Sequence, residues 1–199
     1  SGFEGFVIED EETFIVQPCI SPVWDTCLAQ IALVESGIPV SSSMIQKSTR
    51  WLLNRQILEP GDWQVRAKGT EPGGWSFEFE NVQYPDIDDA AEVIIALASV
   101  RLPPEEDFRR VEAVERCLKW LLALQSKNGG WASFDKDNNR KYLAKIPFAD
   151  FGEMLDPPSV DVTAHLVEMF GKLGYSQEFV PLKRACDYIK REQEADGSW

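Results

Sequence analysis

The sequence holds only one histidine and four cysteines, and neither residue type stands in the spacing of a metal site. A zinc site needs several His or Cys ligands at short intervals, so a bound metal is not expected. No two cysteines form a CxxC pair, which favours free thiols in a reducing compartment over a disulfide framework. The four are Cys19, Cys27, Cys117 and Cys186.

Basic residues are also scarce, with 20 Lys and Arg against 33 Asp and Glu and a formal net charge of −13. They form no long cluster, which argues against a nucleic-acid partner. The longest apolar run, residues 93–100, is too short to span a bilayer, and no leader peptide is visible. Because the chain begins with Ser1 rather than Met, we expect a fragment of a longer protein.

The sequence lacks a P-loop, a Rossmann glycine pattern and a G-x-S-x-G motif. It also lacks a strong period-two strand pattern, while its hydrophobic content of 44% is enough for a core. These features predict an all-α chain that forms one domain or part of a larger one.

Three segments repeat one order of residue types: an aromatic residue, a glutamine five positions later, then glycine and a closing tryptophan. They occupy residues 50–63, 119–131 and 187–199, and successive glutamines are 69 and 68 residues apart. A repeat of this length is a supersecondary unit rather than a single helix. The repeated residues are Trp51, Gln56 and Trp63, then Trp120, Gln125 and Trp131, then Tyr188, Gln193 and Trp199.

Each unit also contains an upstream helical segment, at residues 25–37, 88–100 and 160–174. The second is apolar on every side, which predicts a buried helix, whereas the downstream helices alternate charged and apolar residues. The downstream helices are expected to begin near Ser43, Glu105 and Gln177. We therefore expect an α/α toroid of helical hairpins, with inner and outer helices. Three hairpins cannot close such a ring, so residues 1–199 should form one partial domain, about half of an α6/α6 barrel.

The segment PDIDDAAE, residues 85–92, places Asp86, Asp88 and Asp89 at the start of the buried helix. Helix capping is one explanation, since Asp89 and Glu92 have capping-box spacing and an N-cap acid contributes about 1 kcal/mol. Catalysis is the other. Carboxylates crowded within a few Å cannot all ionise, so one retains a proton and can act as a Brønsted acid.

His165 is the candidate partner of these acids. It lies four residues after Asp161 on the same helical face, in the inner helix of the unit that follows Asp88. Neighbouring inner helices pack side by side, so a hydrogen bond from His165 to one of the acids is expected. Asp161 could hold the imidazole and favour its cationic form. A structural role, the commoner one for a lone histidine, stays open.

Aromatic residues cluster near the acids, where ring faces can stabilise a cation. Among the residues considered, this role suits chiefly Trp24 and Phe77, whereas the tryptophans that close the repeats are expected to pack turns. Core packing is the alternative for all of them. The other aromatic residues of these boundaries are Trp75, Phe79, Tyr84, Phe134, Phe148 and Phe151.

Several of these segments resemble one known family. PDIDDAAE is similar to the D-x-D-D motif of the class II triterpene cyclases, and the Gln…Gly…Trp repeats are similar to their QW motifs. SPVWDT at residues 21–26, GGWSFEF at 73–79 and DPPSVDVTAH at 156–165 resemble the squalene–hopene cyclases in the same order. The resemblance covers essentially the whole chain.

This resemblance implies that a terminal double bond of squalene is protonated, that rings close in a cation cascade, and that proton loss or water capture gives hopene or hopanol. No metal or cofactor is implied. Asp88 resembles the proton donor, with Asp86 and Asp89 as flanking carboxylates. His165 resembles the histidine that makes the donor a stronger acid, and Asp161 the carboxylate that orients it. Positions expected to contact substrate or its cations are Trp24, Phe77, Tyr84 and Phe134.

Two residues depart from the family pattern: Phe134 stands where tyrosine is common, and Ala90 replaces the usual threonine. The resemblance also places the second barrel, the membrane-docking surface and some cavity aromatics outside this chain. The implied partners are squalene or a similar polyprene and the remainder of the cyclase. We expect the full-length protein to associate peripherally with the cytoplasmic side of a membrane. The fragment itself should be soluble, inactive and able to dimerise through uncovered helix faces.

Other interpretations stay open. Another class II polyprenoid cyclase, such as a diterpene enzyme, would share the acid motif but not SPVWDT and the QW repeats. Related α/α toroids act as thioester domains or prenyltransferase β-subunits, but no reactive Cys–Gln pair is evident, and Cys186 and His165 are poorly placed as zinc ligands. A purely structural helical repeat would leave the triple acid unexplained.

Overall fold

The computed structural model describes residues 7–10, 12–16, 20–78, 81–139 and 155–199. None of the helices in these ranges is long and apolar enough to cross a membrane. Cys27, Cys117 and Cys186 are free thiols, and Cys19 lies outside the described residues. The elements are β1 (Val7–Glu9), β2 (Phe14–Val16), α1 (Pro22–Glu35), α2 (Ser43–Asn54), a 3₁₀ helix (Asp62–Val65), α3 (Ile87–Ala98), α4 (Asp107–Ala123), α5 (Val160–Lys172) and α6 (Val180–Arg191).

The six α-helices of the described ranges form two layers. α3 lies at the centre of the inner layer and packs against α1 on one side and α5 on the other. The outer helix of each hairpin packs on the inner helix that precedes it, with α2 on α1, α4 on α3 and α6 on α5. This alternation is the one predicted for an α/α toroid, and the all-α fold class is confirmed.

Burial explains the continuous apolar run in the second inner helix. Val93, Ile94 and Leu97 have no exposed surface, because α3 meets neighbouring helices on several sides. Each large aliphatic side chain buried in this way contributes about 1.5–3 kcal/mol of transfer free energy. α3 is therefore a rigid support for the residues at its first turn.

The β1–β2 hairpin departs from the all-helical expectation. Its strands are antiparallel, with Val7 opposite Val16. The Asp10 carboxylate closes the turn by accepting hydrogen bonds from the amides of Glu12 and Thr13, both at 2.8 Å. Strands of three residues are too short to show a period-two pattern in the sequence.

The glutamine of each repeat ties the end of its outer helix to the turn that follows. Its Nε2 donates to the carbonyl of the glycine two positions before the closing tryptophan. In the first two repeats it also donates to a carbonyl of the next outer helix, which joins one repeat to the next. The bonds run from Gln56 to Gly73 and Ala113 at 2.8 and 2.9 Å, from Gln125 to Gly129 and Pro181 at 2.8 and 2.9 Å, and from Gln193 to Gly197 at 2.9 Å.

The closing tryptophan of the first repeat is Trp75, which corrects the alignment on Trp63. The indole Nε1 of Trp75 donates to the Leu52 carbonyl at 2.7 Å. Trp63 is also buried, but it packs edge-on against Trp120 with ring centroids 5.9 Å apart, and its Nε1 has no partner among the described residues. An insertion that contains the 3₁₀ helix separates Gln56 from Gly73 and Gly74, the glycines before Trp75. Trp63 lies in that insertion and follows Gly61, so its sequence context resembles the motif. The equivalent bonds are Trp131 to Leu121 at 2.7 Å and Trp199 to Ile189 at 2.8 Å.

Candidate active site

The acid motif forms the first turn of α3. Asp86 is the N-cap residue, with extended backbone, and its carboxylate accepts a hydrogen bond from the Asp88 amide at 2.9 Å. The predicted capping box is therefore wrong, because the helix begins at Ile87 and both Asp89 and Glu92 lie inside it. One carboxylate of the three caps the helix, which leaves the other two without a capping role.

The turns that close the first two repeats hold this N-terminus. The Asp86 amide donates to the Trp75 carbonyl at 2.7 Å, and the Ile87 amide donates to the Ser133 carbonyl at 2.8 Å. Trp75 closes the first repeat, and Ser133 lies two residues after Trp131, which closes the second. The repeats thus fix where the acids lie.

His165 reaches the acids from α5. Its Nδ1 lies 2.5 Å from Oδ1 of Asp88, because α5 packs directly against α3. The hydrogen bond with Asp88 raises the pKa of His165, burial lowers it, and the charges of Asp88, Glu92 and Glu168 raise it further, so the net shift is upward. A cationic imidazole beside the acids is therefore favoured.

Asp89 is the enclosed member of the motif. Its side chain belongs to a residue that is 1% exposed, and its Oδ1 has no hydrogen-bond partner in the described part of the chain. Burial, followed by the charges of Asp86, Asp88 and Glu92, raises the pKa of Asp89 to about 8. Burial also raises the pKa of Asp86 to about 6. The motif therefore retains a proton at neutral pH, as crowded carboxylates do. Ala90, which follows, is fully buried.

Asp88 and His165 are the partly solvent-exposed pair of the site. Their side chains are 26% and 33% exposed, in contrast to the enclosed Asp89. Of Asp88 and Asp89, Asp88 is the acid that a bound molecule can reach. Asp88 keeps its contact with the imidazole of His165 at the same time.

Glu92 is a site residue that sequence reasoning assigned only to capping. It is 6% exposed, and its Oε1 lies 3.6 Å from Nδ1 of His165. Burial raises its pKa, and the positive charge of His165 opposes that shift. Its i,i+4 spacing from Asp88 was the signal that could have identified it.

Asp161 lies one turn before His165 on α5, as expected, but it is exposed. A side-chain hydrogen bond with Ser159 lowers the pKa of Asp161, and the charge of His165 contributes in the same direction. In the described part of the chain, His165 Nδ1 contacts Asp88 and Glu92. Asp161 therefore acts on the imidazole through its charge rather than through a hydrogen bond.

Trp24 is the aromatic residue that the fold brings to the site. Its ring, on α1, stacks on His165 with centroids 5.9 Å apart and planes inclined by 24°. Since α1 and α5 flank α3, the stack joins the two helices on either side of the acids. A ring face against a cationic imidazole is electrostatically favourable.

Three other predicted aromatic positions are half-buried or exposed. Phe77 is half-buried two residues after Trp75. Tyr84 is exposed, and its hydroxyl donates to Asp62 at 2.7 Å. Phe134 is exposed as well. The predictions for Phe79, Phe148 and Phe151 fall outside the described residues.

Asp156 is a second residue that the sequence did not single out. It lies four residues before α5 and accepts backbone hydrogen bonds from Ser133, Phe134 and Asp135. Asp156 begins the segment at residues 156–165 that resembles the family, but the amides that its carboxylate accepts from are visible only in the fold.

Comparison with known proteins places the chain among cyclases. A family profile described as "Squalene-hopene cyclase C-terminal domain" matches residues 20–199. The chain is 48% identical over 199 residues to squalene–hopene cyclase of Alicyclobacillus acidocaldarius, covering 100% of this chain and 31% of that protein. It is 39% identical over 204 residues to squalene-hopene cyclase of Schizosaccharomyces japonicus, covering 98% and 30%. It is 43% identical over 206 residues to dammaradiene synthase of Dryopteris crassirhizoma, covering 99% and 30%. The chain thus spans about a third of the length of these relatives.

Proposed function

Because this chain belongs to the squalene–hopene cyclase family, we propose that it is part of a class II terpene cyclase that protonates squalene and cyclises it. The observation that carries the proposal is the contact between Asp88 and His165 beside the Asp89 carboxyl group, which retains a proton at neutral pH. The names of two relatives indicate squalene as the substrate. Neither a metal nor a cofactor takes part in the proposed reaction.

Asp88 is the proton donor in this reaction. Its O–H bond breaks as the π electrons of the terminal double bond form a C–H bond with the proton at the less substituted carbon, and the other carbon becomes a tertiary carbocation. The resulting Asp88 carboxylate is paired with the imidazolium of His165, so the negative charge is stabilised as it develops. Burial raises the pKa of Asp89 to about 8, so the cluster keeps a proton at neutral pH, and Asp88 passes that proton to the alkene once it is bound.

The carbocation is then attacked by the next double bond, and each ring closure forms one C–C bond and moves the charge along the chain. Trp24, which stacks on His165, is the candidate to stabilise the first charge, and Phe77, Tyr84 and Phe134 are candidates to stabilise later ones through their ring faces. Loss of a proton or addition of water ends the cascade. Hopene and hopanol are the expected products, and the similarity to a dammaradiene synthase makes another triterpene the alternative.

The rest of the protein is needed for this chemistry. We propose that residues 1–199 supply about half of the catalytic barrel. Asp88 and His165 are partly exposed here, and water that reaches a carbocation would capture it early. We therefore expect no squalene turnover by residues 1–199 alone. The full-length protein is expected to bind peripherally to the cytoplasmic side of a membrane, where its apolar substrate dissolves.

The test uses the full-length protein in detergent with squalene, followed by gas chromatography–mass spectrometry of the extracted lipids. We expect a new pentacyclic product with the unmodified protein and none with Asp88→Asn at an unchanged melting temperature. Asp187→Asn, on the exposed face of α6, is the matched control and should remain active. Equal activity of Asp88→Asn would reduce the motif to a helix cap. No product from the folded, unmodified protein would exclude squalene and direct the assay to other polyprenes.

A further inference from the structure

Asp156 takes no part in the proposed proton transfer, yet its carboxylate organises the segment that meets the acid motif. It accepts hydrogen bonds from the amides of Ser133, Phe134 and Asp135, at 3.2, 2.8 and 2.7 Å. Hydrogen bonds to a charged acceptor are stronger than neutral ones, so three of them define the backbone of this turn closely.

Ser133 connects that turn to α3. Its amide donates to Asp156, and its carbonyl accepts the hydrogen bond from the amide of Ile87 at 2.8 Å. Ile87 is the first residue of α3 and lies between Asp86 and Asp88. The Ser133 carbonyl therefore helps to set the position of the helix start that carries Asp86 and Asp88.

The same turn is paired with the segment that leads into α5. The Asp156 amide donates to the Asn138 carbonyl at 3.0 Å, and the Ser159 amide donates to the Trp131 carbonyl at 3.0 Å. Ser159 is the N-cap residue of α5, the helix that carries His165. Asp156 thus lies at the junction of the two helices that supply Asp88 and His165.

We propose that Asp156 is a positioning residue of the acid site, which holds residues 133–135 so that α3 and α5 present Asp88 and His165 to each other. This inference rests on the function proposed above. It assigns to Asp156 no contact with the substrate and no proton transfer of its own.

The charge of Asp156 also acts on the site. Burial and the charge of Asp88 raise the pKa of Asp86, and the charge of Asp156 raises it further, while the amides of Asp88 and Asp89 lower it. The Asp89 carboxyl group interacts with that of Asp86 as well, so Asp88 and Asp89 act on Asp86 from α3, and Asp156 acts on it from the segment before α5. Loss of the Asp156 charge should therefore shift the titration of Asp86 to lower pH.

Three variants of the full-length enzyme test the proposal. Asp156→Asn removes the charge and replaces one acceptor oxygen with a donor group, so at least one of the three backbone bonds is lost. Asp156→Glu keeps the charge but displaces the oxygens by one methylene group. Asp135→Asn is the matched control, because it removes a charge from the same turn and its ion pair with Arg66 at 3.3 Å, yet leaves the link from Ser133 to Ile87.

Squalene turnover is measured as a function of pH, together with the melting temperature. We expect Asp156→Asn to lower kcat about tenfold or more, with KM changed less than about threefold, because small displacements of catalytic groups are costly. Its pH profile of kcat should move to lower pH. Asp156→Glu should lower kcat without moving the profile, and Asp135→Asn should change neither.

If Asp156 had a purely structural role, Asp156→Asn would lower kcat by the same factor at every pH, and the loss would follow the fall in melting temperature. That result would overturn the proposal. So would equal losses in Asp156→Asn and Asp135→Asn, or activity of Asp156→Asn within about threefold of the unmodified enzyme. If Asp156→Asn fails to fold, a fully active Asp156→Glu overturns the proposal and an impaired one with an unmoved profile supports it. No product from the unmodified enzyme would refute the proposed function, and the role of Asp156 with it.

Discussion

The Nδ1 atom of His165 lies 2.5 Å from Oδ1 of Asp88, although 77 residues separate the two in the chain. The contact forms because α5 packs against α3, with His165 in the second turn of α5 beside Asp88 in the first turn of α3. It brings the single histidine of the chain to the acid that faces the open side of the site. The electrostatic consequences of this pairing can be measured.

Replacement of His165 with glutamine should remove a stabilising interaction that depends on pH. The pKa of His165 is raised in the folded protein, so its contribution to stability is complete below the ordinary value of 6.5 and is lost as the pH rises through the raised value. The difference in free energy of unfolding between His165→Gln and the unmodified full-length protein should be larger at about pH 5.5 than at about pH 9. Urea unfolding at both pH values measures it, and a difference that grows with pH would contradict the pairing.

Asp89→Asn should stabilise the protein increasingly as the pH rises. The pKa of Asp89 is raised from 3.8 to about 8 by burial and neighbouring carboxylates. The contribution of Asp89 to the free energy of unfolding is therefore largest below pH 3.8, the ordinary pKa value. It is lost as the pH rises through about 8, the pKa in the folded protein. Asparagine does not titrate, so the melting temperature of Asp89→Asn relative to the unmodified protein should increase between about pH 4 and pH 9. Asp187→Asn is the exposed control, and a pH-independent difference for Asp89→Asn would rule out the burial argument.

Trp75→Phe should destabilise the protein more than Trp63→Phe. Both changes replace a buried indole with a smaller phenyl ring. Of the two indoles, only that of Trp75 donates its N–H to a carbonyl, that of Leu52. Loss of this hydrogen bond should add about 0.5–1.5 kcal/mol to the cost of Trp75→Phe, because the Leu52 carbonyl keeps the hydrogen bond from the Arg55 amide. Urea unfolding of the two variants gives the comparison, and equal costs would mean that Trp75 is not the closing residue of the first repeat.

Gly74→Ala and Gly171→Ala should change stability in opposite directions. A Cβ at Gly74 would lie 2.9 Å from the Trp120 ring and 3.0 Å from Pro85, whereas Gly171 in α5 has nothing within 4 Å. Overpacking should cost about 1–3 kcal/mol at Gly74. Alanine should gain about 0.5–1 kcal/mol at Gly171, because glycine is the poorer helix former. Melting temperatures test this, and a neutral Gly74→Ala would show that the turn before Trp75 has room to adjust.

Helix positions were largely predictable because their signals are local. α2 begins at Ser43, as expected, with Ser42 as its cap. α4 and α6 begin two to three residues later than predicted, at Asp107 and Val180. In both cases a backbone turn precedes the helix, and hydrogen bonding within that turn is not visible in residue periodicity.

The candidate site was partly predictable. His165 was expected to meet one of the acids because neighbouring inner helices pack side by side, and the family resemblance indicated Asp88. The choice of Asp86 as the cap was not predictable, since three aspartates near one helix start satisfy the same spacing rules. Glu92 and Asp156 were missed because their importance depends on which side chain or amide lies opposite them in space.

The sequence by itself determined the helical hairpins, their repetition and the acids at the mouth of a buried helix, because periodicity, capping and motifs act over a few residues. Tertiary structure alone decided that Trp75 rather than Trp63 closes the first repeat. It also decided that His165 bonds to Asp88 rather than to Asp161, and that Asp156 holds the turn at residues 133–135, which bonds to the start of α3. These contacts join residues far apart in the chain, and their distances are set by the packing of whole helices, which no local pattern encodes.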